Sequence, residues 1–307
     1  MRRIRIQVPA TSANLGPGFD CLGLALNLTD TIRVELDADN DEVSLTGVEG
    51  TSEELDREES LLCRAYRAWA DDTGATLPGA RFALESRIPI GRGLGSSAAA
   101  IVGGLAAAAF AAEDKEPRQR ILRLGTRLEG HPDNVAAATM GGLTVAFCHS
   151  DDVRAMHVAN HLALGVALYI PDERLGTTQA RAALPDHLPV ADAVFDLGRL
   201  AYLVTALQWG RWSEIGPAMQ DRLHQPYRAR LLPALDVVMA AAIEAGAYGA
   251  ALSGAGPTVI ALGPTDRAEQ FSSAMAEKAR REGWAGAGMI TSIRQWGVVV
   301  SAEDRNP

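Results

Sequence analysis

Pro89-Ile90-Gly91-Arg92-Gly93-Leu94-Gly95-Ser96-Ser97-Ala98-Ala99-Ala100 sets three glycines and two serines directly before a long apolar, helix-forming run. Glycines let a backbone turn so that its N–H groups converge, and the first turn of a following helix adds unpaired N–H donors and the positive end of a dipole. That combination suits a phosphate or carboxylate. The same residues also fit a glycine-rich turn that merely enters a buried helix, and the loop alone does not separate the two. It has no lysine, so it lacks the GxxxxGK[ST] spacing of a P-loop, and Gly91, Gly93 and Gly95 do not give the GxGxxG of a dinucleotide site.

The chain around this loop has 307 residues, enough for two cores, and we expect domains over 1–150 and 151–307, with the polar segment 149–154 at the boundary. A net charge of -9 argues against a nucleic-acid surface, which needs clustered Lys and Arg, so an anionic ligand must be held by a few arginines and backbone donors. Cys21, Cys63 and Cys148 form no CxxC pair, which implies neither a disulfide framework nor a zinc site and fits a reducing cytoplasm. The start of the chain alternates arginine with isoleucine and does not read as a secretory signal. The apolar run 98–112 falls short of the roughly 18 residues of a membrane span. A cytoplasmic protein with no membrane or nucleic-acid partner is expected.

Alternation predicts a strand over 4–8 ended by Pro9, further strands over 22–28 and 31–36, and a hairpin between 31–36 and 43–48. Leu61, Leu62, Ala65, Tyr66, Ala68 and Trp69 recur at helical spacing, and 81–86 is a strand leading into the loop. Helices are expected over 98–112, 121–128, 135–140, 192–215, 231–245 and 268–282. Strands are expected over 143–147, 162–170, 247–252, 258–262 and, last, 289–300. Strands and helices mix without strict alternation, which points to α+β and away from a doubly wound sheet.

The loop matches PxxxGLGSSAA, the signature of the GHMP kinases, whose members include galactokinase, homoserine kinase and mevalonate kinase. Pro9-Ala10-Thr11-Ser12-Ala13-Asn14-Leu15-Gly16-Pro17-Gly18-Phe19-Asp20 resembles the N-terminal substrate motif of that family in its homoserine kinase version, and Ser253-Gly254-Ala255-Gly256-Pro257-Thr258 resembles its C-terminal glycine motif. The resemblance implies the GHMP kinase fold, an N-terminal domain like domain 2 of ribosomal protein S5 and a ferredoxin-like C-terminal domain, with the site between them. It implies transfer of the ATP γ-phosphoryl group to the side-chain hydroxyl of L-homoserine, magnesium as the metal, and a homodimer. Phosphoryl transfer asks mainly for positioning and charge neutralisation, so each required group is sought by chemistry.

On this resemblance Pro89, Gly91, Arg92, Gly93, Leu94, Gly95, Ser96, Ser97, Ala98 and Ala99 form the nucleotide loop. Ser97 and Glu129 match the magnesium ligands, with Ser96 as the alternative serine. Asn14, Asp20, His131, Thr177, Arg181 and Arg228 are expected to bind the acceptor, the arginines because a planar guanidinium fork grips a carboxylate. Asn134, Asp133 and Glu129 form the expected catalytic set, with Asp133 as the general base or with no strong base at all. Taken singly these residues read differently: Ser97 as a helix N-cap, Glu129 as a solvated acid, His131 as a turn residue. At Glu59-Ser60-Leu61 many members carry an asparagine in place of Ser60 as an adenine contact, and serine is shorter.

Overall fold

Arg3 and Arg5 are exposed while Ile4, Ile6 and Val8 are fully buried, so the first strand turns alternate residues to one core. The structure is a computed structural model and describes residues 2–49, 55–159, 162–232 and 234–303. β1 (Arg2–Asn14) runs antiparallel to the long β2 (Gly18–Asp37), from the pair Arg2↔Leu36 to Asn14↔Gly18. The strand does not stop at Pro9. A register shift between Pro9 and Ala10 absorbs the residue that lacks an N–H, and pairing resumes beyond it. The two strands expected over 22–28 and 31–36 are likewise parts of one bent strand.

β3 (Val43–Glu49) does not form the expected hairpin with β2. After α1 (Leu55–Thr73), β4 (Gly79–Glu85) pairs antiparallel with β2 and parallel with β3, and so lies between them. Ala80, Phe82 and Leu84 of β4 are buried, whereas Val43 and Leu45 of β3 are half-buried, so the better core strand takes the inner place. α2 (Ser96–Ala111) is apolar nearly all round and sits inside the domain. At Gly104 of α2 a Cβ would lie 2.2 Å from the Leu62 carbonyl oxygen, which is how closely α1 packs on it.

α3 (Arg118–Glu129) and α4 (Asp133–Met140) follow, then β5 (Leu143–His149) and β6 (Asp152–Ala159), which form a hairpin on β2. The expected boundary at 150/151 falls in the turn of this hairpin, where His149 pairs with Asp152. Its polar residues mark a turn within one sheet, and the change of sheet comes after β6.

The second sheet holds β7 (Gly165–Pro171), β8 (Gly249–Leu252), β9 (Val259–Gly263) and β10 (Gly286–Thr291) in the order β10-β7-β9-β8, all antiparallel. Between β7 and β8 come α5 (Thr177–Ala182), α6 (Val190–Gln208), α7 (Ile215–Ala218), α8 (Gln225–Arg228) and α9 (Leu235–Glu244). α9 and α10 (Ala268–Arg281) pack on each other and on this sheet, the ferredoxin-like arrangement. The helix expected over 192–215 ends at Gln208, followed by a 3-10 turn and α7. The strand expected over 289–300 divides into β10 and β11 (Val299–Ala302), and β11 crosses to pair with β1 of the first sheet. One apolar cluster joins the sheets, with Ile4, Leu24 and Phe82 from the first and Val166, Ile260 and Leu262 from the second. Among the described residues no helix is long and apolar enough to cross a membrane.

Candidate active site

Three separated glycine stretches meet where the sheets adjoin. The Thr11 N–H donates to the Leu94 carbonyl (3.0 Å), the Gly254 N–H to Ala13 (3.0 Å) and the Thr258 N–H to Arg92 (3.3 Å). The Ser253 hydroxyl reaches both the Gly93 carbonyl (2.7 Å) and the Ser12 hydroxyl (2.8 Å). Gly93 and Gly95 hold φ of 73° and 71°, and a Cβ there would lie 2.2 Å from the Ser253 carbonyl oxygen and 1.9 Å from Thr11 Oγ1. Only glycine meets both demands. Gly95 caps α2 with no side-chain hydrogen bond, and no acid occupies the first turn, so the N–H donors of that turn keep their positive field. Below the loop, the buried Asp30 accepts the N–H groups of Arg87 (2.6 Å) and Ile88 (2.9 Å) and fixes its entry. Burial pushes the Asp30 carboxyl up to about 6 against those two bonds.

The loop forms one wall of a cavity of about 640 Å³. On another wall, Glu129 at the end of α3 accepts the Ser97 hydroxyl (2.6 Å). Its carboxyl is raised above the usual range by burial, which outweighs the serine bond, so the ionised form lacks adequate compensation. His131 Nδ1 lies 2.8 Å from Asp133 Oδ1, and the same oxygen accepts the Asn134 backbone N–H (2.7 Å). Burial lowers the His131 pKa, but the Asp133 bond and the charges of Asp133, Glu129 and Asp20 outweigh it, and the net shift is upward. The Asn134 Oδ1 accepts the Thr11 hydroxyl (2.7 Å), tying this turn to the first motif.

Opposite stand charged groups from both ends of the chain. Arg181 on α5 grips Asp20 with two nitrogens, at 2.6 and 3.1 Å. Asn14 donates to the Gly254 carbonyl (2.9 Å) and accepts the Asp20 N–H (3.1 Å). Arg228, only 2 % exposed, donates to the Gly254 carbonyl (3.0 Å) and lies 3.1 Å from His224 Nδ1. His224 Nε2 lies 2.9 Å from the Gly16 carbonyl oxygen, so Nε2 carries the proton and Nδ1 accepts from Arg228. Complete burial, and then the charge of Arg228, push His224 down to about 3 and hold it neutral. Burial and the charge of Arg181 bring Arg228 down to about 10, against the pull of Asp20, Asp221 and Asp133. The Phe19 ring lies near both guanidinium groups, those of Arg181 and Arg228 at 5.4 and 5.3 Å from its centroid.

Residues 60–142 match the GHMP kinases N terminal domain, and residues 203–281 match the GHMP kinases C terminal domain. The homoserine kinase of Desulfitobacterium hafniense is 41% identical over 297 residues, covering 97% of this chain and 99% of its relative. That of Gloeobacter violaceus is 44% identical over 273 residues, 88% of this chain and 91% of the relative. The chain belongs to the homoserine kinases of the GHMP family. The crystal structure of homoserine kinase from Cytophaga hutchinsonii superposes with a TM-score of 0.88 at 28% identity, covering 98% of each chain. L. major mevalonate kinase in complex with R-mevalonate, at 15% identity and a TM-score of 0.70 over 94% of this chain and 96% of its own, shares the fold.

Of the residues matched to family motifs, Asn14, Asp20, Gly91, Gly93, Gly95, Ser96, Ser97, Glu129, His131, Asp133, Asn134, Thr177, Arg181 and Arg228 line the one cavity. Pro89, Arg92, Leu94, Ala98 and Ala99 do not. Arg92 turns away to the Asp172 carbonyl. Leu94, Ala98 and Ala99 face the apolar core, and the Ala99 N–H is spent on the Gly95 carbonyl. The side chains of Glu59 and Ser60 lie outside the described residues. Sequence reasoning passed over Phe19, Asp30 and His224. Nothing local marks Phe19 or Asp30, because each acts through a partner distant in the chain; the pattern D-x-x-H-Q-P-x-R from Asp221 to Arg228 was the available signal for His224.

Proposed function

We propose that this chain transfers the γ-phosphoryl group of ATP to the side-chain hydroxyl of L-homoserine, giving O-phospho-L-homoserine. The observation that carries this reading is the Arg181–Asp20 pair in the same cavity as the glycine loop. An amino-acid zwitterion matches it charge for charge: its carboxylate replaces Asp20 on Arg181, with Arg228 behind, and its ammonium replaces Arg181 on Asp20. A plain hydroxy acid would leave Asp20 without a cation in a partly buried site, which is costly.

The triphosphate lies along the N–H donors of residues 93–98, at the positive end of α2. Ser97 and Glu129 are hard oxygen donors side by side in the cavity, and the buried Glu129 carboxylate calls for a cation, which fits magnesium. Bound there, magnesium would neutralise phosphate charge as the group transfers. Asn14 and Asn134 orient the acceptor beside the loop, and Thr177 closes the α5 side. Asp133 Oδ1 is committed to His131 and Asn134, which supports an orienting role and direct attack by the hydroxyl through a loose transition state.

ADP release with ATP and magnesium, measured across homoserine, mevalonate, galactose and shikimate, tests the reading. Turnover with homoserine that a chelator abolishes is expected. Turnover with another alcohol while homoserine is silent would sink the acceptor assignment, and tight binding without ADP from any of them would indicate a non-catalytic binder.

A further inference from the structure

Arg228 is buried and yet lines the cavity, so whatever holds its guanidinium decides where the charge points. Nε reaches only the Ala180 carbonyl, at 3.4 Å. Nη1 carries two N–H groups and meets two acceptors, the Gly254 carbonyl (3.0 Å) and His224 Nδ1 (3.1 Å). Nη2 donates to no group among the described residues, which leaves it as the nitrogen for a ligand carboxylate.

His224 stands one turn before Arg228, at the start of α8, and is fully buried. Asp221 accepts the N–H groups of Leu223, His224 and Gln225 and so fixes that start. The Phe19 ring covers the imidazole, with centroids 5.3 Å apart. At the far end of the ring, Nε2 meets the Gly16 carbonyl (2.9 Å), in the turn between Asn14 and Asp20. That turn is packed tightly from behind, because a Cβ on Gly16 would lie 2.1 Å from the Met219 carbonyl oxygen. The imidazole therefore bridges the two arms of the acceptor pocket, one from each sheet. Such a bridge needs an acceptor at one end and a donor at the other, which a neutral imidazole offers and an imidazolium does not. Burial and the Arg228 charge keep the ring neutral. An apolar side chain would fill the same space with no nitrogen to satisfy, so packing does not account for a histidine here.

We propose that His224 is a positioning residue for the acceptor: it turns Arg228 so that Nη2 faces the substrate carboxylate, and it ties that orientation to the turn holding Asn14 and Asp20. The inference rests on the homoserine reading above and deepens it.

Steady-state kinetics of the full chain, with each substrate varied in turn, test it on two variants. His224→Leu removes both bonds. His224→Gln keeps an acceptor and a donor, spaced in the amide much as the two ring nitrogens are. The leucine variant is expected to raise KM for homoserine by about tenfold or more, the size of a lost bond to a charged group, with KM for ATP changed by about twofold at most. The glutamine variant is expected to recover most of that loss. Equal losses toward both substrates in a leucine variant that melts cooperatively would overturn the proposal, as would an unchanged KM for homoserine. A folded glutamine variant no better than leucine would also overturn it. If leucine does not fold, His224→Met takes its place, and failure of both to fold would overturn the proposal by making the contact one of stability. Wild type silent with homoserine would remove the acceptor reading and this proposal with it, and it shows before any variant is made, so the two failures are distinct.

Discussion

Asn14 and Asp20 hold φ of 71° and 55°, a region that is uncommon for residues with a Cβ and is kept where the surroundings force it. Both line the cavity, and their mutual bond with the Gly254 contact is what forces it. The sequence showed which residue types stood in this stretch, but not that Arg181 would come from 161 residues away to hold Asp20. Asp133 is where two chemical roles divide. With Oδ1 already bonded to His131 and to both the backbone and side-chain N–H of Asn134, Asp133→Asn is expected to lower kcat by about tenfold or less, because an orienting group is largely replaced by the carboxamide. A loss of about a thousandfold with folding intact would be the size of general-base catalysis and would assign the proton to Asp133. Steady-state kinetics with a thermal melt of the variant decides between them.

At the scale of elements, the glycine loop depends on a strand it does not belong to. Asp30 sits on β2 and holds the backbone just before Pro89 through one oxygen, Oδ1. Its folded pKa of about 6 lies above the unfolded value, so the stability this group adds is fully present below about pH 4 and is lost as pH rises through 6. The loss is about 3 kcal/mol for a shift of that size. Asp30→Asn keeps Oδ1 and removes the ionisation, so it is expected to equal or exceed wild-type stability at pH 8, with the gap closing toward pH 4. Denaturant titrations at both pH values check this; an Asn variant markedly weaker than wild type at pH 8 would contradict it. The helices were largely legible because their apolar period is local. The strands were legible as strands but not as partners: β3 looked like the mate of β2, and the burial of Phe82 and Leu84 gave that place to β4.

For the whole molecule, the first sheet takes its last strand, β11, from the end of the chain, and a single apolar cluster spans both sheets. We therefore expect one cooperative unfolding transition, with calorimetric and van't Hoff enthalpies in agreement. A fragment of residues 1–150, which cuts the β5–β6 hairpin and omits β11, is expected not to fold alone. Two separated transitions, or a folded fragment, would show that the halves are independent.

The sequence by itself determined the local chemistry: an apolar helix behind a glycine loop, an acid and a histidine in one turn, arginines in the second half, and a family resemblance carried by three short motifs. Only the tertiary structure decided which of these groups meet. Pairing of Arg181 with Asp20, the neutral His224 behind Arg228, and the stitching of the loop to residues 11 and 253 all depend on contacts between distant parts of the chain. Such contacts are set by which strand buries its face best and by which polar group must find a partner once burial has removed water.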